Sequence, residues 1–116
     1  MGELFTTPWE MRPLVEERLV DFLRVDLAHV GGITAASKLA TVAEHHYVET
    51  AFHGPPDLSP VGQAASVHVD LSVPNFGVQE YTDYVARYGD AVTDVFRGGA
   101  TLDESVGGLD VPDGPG

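Results

Sequence analysis

The sequence predicts an α/β fold built from repeated strand–turn–helix units. Three strand-like segments each lead to an ionisable residue, and these residues, Asp26, His53 and Glu80, are spaced 27 positions apart. This interval is close to the length of one β/α unit, about 30 residues. Glycine or proline turns and capped helices separate the segments. We therefore expect three neighbouring parallel strands whose carboxyl ends bring the three side chains together.

The length of the chain limits how much of such a fold it can form. Its 116 residues suffice for one ordinary domain. A complete (β/α) barrel of eight units needs about 250 residues, so the β/α units predict a portion of a barrel. The sequence divides into residues 1–80, which carry the β/α pattern, and residues 81–116, a tail that we expect to cross the barrel mouth. The tail is rich in Gly, Asp and Pro from residue 98 onward.

The composition excludes several classes of partner. The net charge is −12, with 18 acidic and six basic residues, and Lys38 is the only lysine. This charge argues against nucleic acids and anionic membranes as partners. Because the acidic residues are spread along the chain, we favour a halophilic cytoplasmic protein, with an acidic interaction face as the alternative. The sequence has no cysteine, no apolar run of membrane-spanning length and no signal-peptide pattern.

The first helix is predicted from Pro8 to about Leu19. Thr7 and Glu10 form a capping-box pattern with proline at the first helical position, and Pro13 is expected to kink the helix.

The first strand is predicted over Phe22–Asp26, with Phe22, Arg24 and Asp26 on one face and apolar residues on the other. Two charged side chains on one face are costly to bury unless they are paired or used in chemistry. A structural ion pair is the alternative to a functional site. The Gly31-Gly32 turn follows, and Thr34 is expected to cap a helix over Ala35–His45.

The second strand, Tyr47–Phe52, leads to His53, and Ser59 is expected to cap a helix over Val61–Val69. The third strand is predicted over Asn75–Val78. For the tail we expect an amphipathic segment at residues 81–88, a short strand or turn at residues 92–96, and neither helix nor strand from residue 98 onward.

These ionisable residues could perform acid–base chemistry. A carboxylate beside a histidine orients one ring nitrogen and stabilises the imidazolium, so His53 with Asp26 is a candidate general base. Glu80 could share a proton or bind substrate. Two carboxylates could instead bind a divalent cation, although such a site needs further oxygen ligands. A structural role for each residue alone is the simpler alternative. No phosphate-binding glycine loop and no Ser–His nucleophile pair is indicated.

Four motifs carry a resemblance to a known family: GELF, LRVDLAHVGGIT, FHGPPDLSP and VPNFGVQEY. They resemble the C-terminal part of acid-sugar dehydratases in the mandelate racemase group of the enolase superfamily, nearest to the mannonate dehydratase and starvation-sensing protein branch. The resemblance runs from Gly2 to about Tyr81. It implies a modified TIM barrel of which this chain supplies the end of the fifth strand through the eighth strand and part of the tail.

The resemblance also implies roles for individual residues. It places Glu3 at one of three Mg²⁺ carboxylate ligands, the other two lying on preceding strands outside this chain. Arg24 matches an active-site arginine, and Glu80 matches the active-site glutamate of the last strand. His53 and Asp57 match positions that contact the substrate.

Asp26 departs from the mannonate branch and, with His53, resembles the His–Asp dyad of mandelate racemase and galactonate dehydratase. The implied reaction is Mg²⁺-dependent dehydration of an aldonate, such as mannonate, gluconate or galactonate, to a 2-keto-3-deoxy acid. In this interpretation His53 is the acid–base residue, Asp26 orients it, and Glu80 hydrogen-bonds a substrate or enediolate oxygen. Arg24 contributes positive charge at the substrate or pairs with Glu80.

Several alternatives remain at this point. The same dyad could racemise its substrate, the base could be a tyrosine on an upstream loop, or the protein could be a non-catalytic or regulatory relative. The chain in isolation could be an inactive fragment. For the intact enzyme we expect a homo-oligomer whose partner is a small-molecule sugar acid.

Overall fold

Three helices cover one side of a small parallel sheet, and a region of shorter elements follows. The computed structural model describes residues 1–111 and residue 114. In chain order the elements are α1 (Pro8–Glu16), β1 (Phe22–Leu23), α2 (Leu27–Val30), α3 (Ile33–His45), β2 (Glu49–Thr50), α4 (Pro60–Ser72), α5 (Tyr84–Tyr88), α6 (Ala91–Val95), β3 (Thr101–Asp103) and β4 (Gly108–Asp110). No helix in this described part of the chain is long and apolar enough to cross a membrane.

The predicted order of parallel strands is confirmed. β1 pairs with β2 in parallel, Phe22 opposite Glu49 and Leu23 opposite Thr50. Thr50 also forms a parallel bridge with Phe76 in the third predicted segment. β2 therefore lies in the middle, and the chain runs in the same direction through all three segments.

The regular strands are shorter than predicted, and the first one ends early. β1 stops at Leu23, although the amide N–H of His53 still donates to the carbonyl of Val25 at 3.0 Å. Asp26 is the N-cap of α2, a four-residue helix that the sequence analysis missed. Its carboxylate accepts a hydrogen bond from the amide of Ala28, which satisfies a helix-terminal donor and stops the strand.

The predicted helix boundaries also needed correction. α1 ends at Glu16 and not at Leu19, and the chain turns through Arg18, which has a φ of 51°. α3 begins at Ile33, and its N-cap is Gly32, whose positive φ of 86° suits glycine, so Thr34 is not the cap. The expectation for Ser59 is confirmed: its hydroxyl accepts from the amide of Gly62 at 3.2 Å, and α4 continues to Ser72.

The hydrophobic core lies between the sheet and helices α1, α3 and α4. Its largest fully buried side chains come from the strand segments and from the facing sides of α1 and α2. They are Phe52, Met11, Leu23, Val15, Val25, Val30 and Val48.

The tail contains more regular structure than predicted. Residues 92–96, expected to be a short strand or turn, belong mostly to helix α6. The prediction of no strand after residue 98 was wrong, because β3 and β4 form an antiparallel hairpin, with Leu102 opposite Leu109. Gly107 has a φ of 66° and closes the turn between the two strands. Residues 112, 113, 115 and 116 of the predicted tail lie outside the described residues.

Candidate active site

Three ionisable side chains converge beyond the carboxyl ends of the parallel strand segments. The Nδ1 atom of His53 donates to Oδ2 of Asp26 at 3.2 Å, and its Nε2 atom lies 3.9 Å from Oε2 of Glu80. His53 thus lies between two carboxylates. The residues that the 27-position spacing singled out are brought together, although their chemical roles remain predictions.

Asp26 is held rigidly beside the imidazole. The residue is only 3% exposed, and while one carboxylate oxygen faces His53, the other caps α2 by accepting from the amides of Ala28 and His29. A carboxylate fixed on both oxygens can hold the ring in one orientation and one tautomer. The Nε2 atom of His53 is therefore the nitrogen that points toward Glu80 and away from the structural partner.

Arg24 joins two further carboxylates. Its Nη1 atom donates to Oε2 of Glu3 at 2.6 Å, and its Nη2 atom donates to Oε2 of Glu80 at 2.6 Å. The hydrogen bond from Arg24 lowers the pKa of Glu3. Desolvation opposes the charge on Arg24, but the hydrogen bonds and charges of both carboxylates outweigh it and raise the pKa of the guanidinium. Both shifts favour the charged forms of Glu3 and Arg24.

Glu80 is also held by a neighbouring backbone segment. The amide N–H of Gly54 donates to Oε2 of Glu80 at 2.9 Å. The two segments approach so closely that a Cβ on residue 54 would overlap the carbonyl oxygen of Glu80 and lie 2.8 Å from its carbonyl carbon. Glycine at position 54 thus allows the loop after β2 to contact the residue that ends the third strand segment.

The chain matches a known protein family over its whole length. The sequence model described as enolase C-terminal domain-like matches residues 1–116. The chain belongs to this family. The predicted fold, a portion of a modified TIM barrel, and the resemblance to acid-sugar dehydratases of the enolase superfamily are thereby confirmed.

Individual relatives of this enolase-type chain are sugar-acid dehydratases by name. It is 50% identical over 103 residues to a D-galactonate dehydratase family member of Salmonella virchow, covering 89% of this chain and 24% of that protein. It is 51% identical over 81 residues to a D-mannonate dehydratase of Caulobacter sp. strain K31, covering 70% of this chain and 20% of that protein.

A solved structure shows the same fold. The crystal structure of an enolase from Pantoea ananatis with bound D-gluconate and Mg matches with a TM-score of 0.89 and 45% identity. The match covers all of this chain and 26% of that one. The enolase-type chain thus spans about a quarter of the length of the relatives it matches.

Asp57 is the one predicted site residue that stands apart from the others. It is exposed in the loop that precedes α4. Within residues 1–111 and 114, its side chain makes no hydrogen bond or ion pair with the other candidate residues. Its predicted contact with substrate therefore stays a prediction.

Two residues that the sequence analysis passed over contact the site. The Nδ1 atom of His29 donates to the backbone carbonyl of Glu3 at 3.1 Å. Gln63 on α4 is buried and donates to the backbone carbonyl of Glu80 at 2.7 Å. A signal for Gln63 existed, because it lies four and seven positions before the buried Val67 and Asp70 and thus on the inward face of the helix.

Proposed function

We propose that this chain forms the C-terminal part of the active site of a longer, Mg²⁺-dependent sugar-acid dehydratase. The observation that carries the proposal is the position of His53, between the buried carboxylate of Asp26 and the charged pair of Glu80 and Arg24. A dehydratase that removes a proton next to a carboxylate needs a histidine or similar base held in place beside positively charged groups. The names of the relatives and the bound D-gluconate of the Pantoea ananatis enolase support the substrate class.

In the proposed reaction, His53 moves the proton. Its Nε2 atom takes the proton from the carbon next to the substrate carboxylate, and the resulting imidazolium is stabilised by Asp26 at Nδ1. The imidazolium then gives a proton to the departing 3-hydroxyl, which leaves as water. The enol that remains rearranges to a 2-keto-3-deoxy acid, so atoms and protons balance without a further reactant.

Arg24 and Glu80 would bind and orient the substrate. Glu80 lies 3.9 Å from Nε2 of His53, the nitrogen that would accept the substrate proton, near enough to share a substrate oxygen with it. Arg24 would supply positive charge for oxygens that become more negative during the reaction. Asp57 would contact the distal hydroxyls of the sugar acid from the exposed loop.

Glu3 fits a role as one Mg²⁺ ligand. Its carboxylate is the kind of oxygen ligand that Mg²⁺ prefers, and its side chain is 40% exposed. In the described part of the chain no three His, Cys, Asp or Glu side chains are grouped so that they could hold a metal ion. The remaining ligands would therefore come from the rest of the longer protein. When bound, Mg²⁺ would supply positive charge to the substrate carboxylate and make the neighbouring proton more acidic.

The test uses the longer protein with Mg²⁺ and three aldonates: mannonate, gluconate and galactonate. We expect at least one of them to lose water and give a 2-keto-3-deoxy acid. His53→Asn should reduce turnover by about 10²–10⁴-fold, the usual contribution of a general acid–base group, and leave Mg²⁺ affinity unchanged. Asp26→Asn should reduce turnover less and alter the pH–rate profile. Glu3→Gln should weaken Mg²⁺ binding, and this should be its first effect, ahead of any effect on turnover.

Other outcomes would replace the proposal. If His53→Asn turned over at nearly the wild-type rate while Arg24 proved essential, the base would lie in the upstream part of the protein. An epimerised product without loss of water would identify a racemase that uses the same His–Asp pair. Binding of Mg²⁺ and sugar acid without any product would identify a non-catalytic or regulatory relative. A homo-oligomeric state of the longer protein stays a prediction.

A further inference from the structure

Gln63 connects the first turn of α4 to the segment that carries Glu80. Its side chain is 2% exposed, and its Nε2 atom donates to the backbone carbonyl of Glu80 at 2.7 Å. Its Oε1 atom accepts from the amide of Thr82 at 3.2 Å, and the hydroxyl of Tyr84, which donates to the carbonyl of Leu58 at 2.6 Å, lies 3.3 Å from the same oxygen. One side-chain amide thus satisfies two backbone groups on either side of Tyr81.

We propose that Gln63 is a positioning residue for Glu80: it fixes the backbone of residues 80–82 so that the carboxylate of Glu80 meets Arg24 and the amide of Gly54 at the same time. This inference rests on the function proposed above, in which Glu80 binds the substrate.

Two short hydrogen bonds hold the carboxylate of Glu80 in place. One oxygen of Glu80 accepts from Arg24 at 2.6 Å and from the amide of Gly54 at 2.9 Å. Hydrogen bonds of this kind weaken steeply when the distance or angle departs from its narrow range. A rotation of the peptide at Glu80 would therefore break both contacts and change the distance to His53.

The other contacts of this segment do not fix that peptide against α4. Thr82 donates through its hydroxyl to the carbonyl of Gly54 at 2.8 Å. The Nε2 atom of Gln79 donates to the carbonyl of Phe52 at 3.2 Å and to the carbonyl of Glu80 at 2.5 Å. These contacts tie the segment to the residues that follow β2 and not to α4. Gln63 supplies a tie from the helix side, and only an amide side chain offers a donor and an acceptor at that one place.

The variants separate positioning from stability. Gln63→Leu removes both hydrogen-bonding groups at a similar volume and should lower kcat by about 10–100-fold through misplacement of Glu80, with KM for the sugar acid changed less than about threefold. Tyr84→Phe is the matched control, because it removes the hydroxyl that donates to the carbonyl of Leu58 and contacts the same Oε1 atom, but it leaves the bond from Gln63 to Glu80. It should change kcat less than about threefold even where the melting temperature falls equally.

A third variant keeps the acceptor but removes the donor. In Gln63→Glu, an ionised carboxylate would face the carbonyl of Glu80 and repel it, whereas a protonated one could donate to it as the amide does. The kcat of this variant relative to wild type should therefore rise as the pH falls. A ratio that does not depend on pH would contradict the positioning role, and this variant also serves if Gln63→Leu fails to fold.

A double-mutant cycle tests whether Gln63 acts through Glu80. If it does, Gln63→Leu should lower kcat by less than about threefold in a Glu80→Gln background, although it lowers kcat strongly in the wild type. If the reductions in kcat caused by the two substitutions multiplied in the double mutant, the inference would be overturned and Gln63 would be a structural residue.

A crystal structure of the Gln63→Leu variant gives a readout that needs no turnover. We expect the carboxylate of Glu80 to lose its contacts with Arg24 and Gly54, and we expect the Tyr84→Phe variant to keep both. Unchanged contacts in Gln63→Leu would overturn the inference. If the wild-type protein dehydrates no sugar acid, the proposed function fails, and these structures still decide whether Gln63 positions Glu80.

Discussion

Residues 1–80 and the described tail, residues 81–111, are stabilised in different ways. The first region has a core of fully buried side chains and parallel strand pairs between positions 27 residues apart. In the described tail, Tyr84 is the only buried residue, and the strands of its hairpin are separated by only four residues. The first region therefore depends on packing between distant segments, and the tail depends on turns and local hydrogen bonds.

Aspartates show the same contrast. Asp26 is buried, caps a helix and pairs with His53 across 27 residues. In the tail, Asp83 caps α5 through the amide of Ala86, and Asp103 accepts from the amide and hydroxyl of Ser105. Carboxylates of the tail therefore stabilise local backbone, whereas Asp26 links local backbone to a site formed by distant segments.

A matched pair of leucine substitutions should give the largest difference between the regions. Leu23 in β1 is fully buried, whereas Leu102 in β3 is 44% exposed. Leu23→Ala should lower the free energy of unfolding by about 2–5 kcal/mol because it leaves a cavity in the core. Leu102→Ala should lower it by less than about 1 kcal/mol. Thermal or denaturant unfolding of the longer protein measures both, and equal losses would mean that the tail packs as tightly as the core.

The parallel strands and their functional ends could be predicted because the signals were strong and repeated. Three apolar segments at a constant interval, the first two followed by Gly or Pro turns, specify both the strand order and the edge at which Asp26, His53 and Glu80 meet. Helix α2 was missed for a physical reason. It has only four residues, and the Asp26 that begins it also looks like the last residue of a strand.

A pair of glycine substitutions should give the next largest difference. In Gly54→Ala the new Cβ would overlap the backbone of Glu80 and lie 2.9 Å from the amide nitrogen of Gln63. We expect the free energy of unfolding to fall by about 3 kcal/mol, at the upper end of the usual cost of overpacking a core. We also expect kcat to fall because Glu80 moves. Gly99→Ala in the tail meets nothing within 4 Å and should change stability by less than about 0.5 kcal/mol. Similar effects of the two changes would contradict the close approach of Gly54 to Glu80.

Two aspartates should respond to pH in opposite directions. Burial raises the pKa of Asp70 on α4 to about 7, against a smaller opposing effect of the hydrogen bond from Thr50. Hydrogen bonds from Ser105 lower the pKa of Asp103 in the tail. Because folded Asp70 holds a proton that the unfolded chain releases near pH 4, the wild type should lose stability as the pH rises from about 4 to 7.

Asp70→Asn should remove that loss and stabilise the protein at pH 7.5 by about 2 kcal/mol relative to wild type. Asp103→Asn should destabilise slightly at the same pH, since the contribution of a carboxylate with a lowered pKa is present at neutral pH and disappears only as acid protonates it. Melting temperatures from pH 4 to pH 8 measure both effects. The assignment to Asp70 would be contradicted if the wild-type melting temperature rose over this range and the melting temperature of Asp70→Asn rose with it.

The tail and Gln63 show where sequence patterns stop being informative. Glycine and aspartate make up six of the fourteen residues 98–111, so the hairpin has little of the apolar alternation by which strands are recognised. Its pairing depends on a turn at Gly107 and on contacts with neighbouring segments. Gln63 follows Val61 and Gly62 in α4 without a recognisable motif, and its partners become visible only when Glu80 and Thr82 are placed beside the helix.

Salt should produce the smallest effect and should act on the tail more than on the core. Residues 1–80 carry 11 acidic and four basic side chains, and residues 81–116 carry seven and two over less than half the length. Because self-repulsion is screened by salt, the melting temperature should rise from dilute buffer to molar KCl. Hydrogen exchange should slow more in the hairpin than in β1 and β2, whose stability comes from packing. A flat or falling melting temperature would remove the halophilic interpretation, and equal slowing in both regions would show that the tail is no more sensitive to charge than the core.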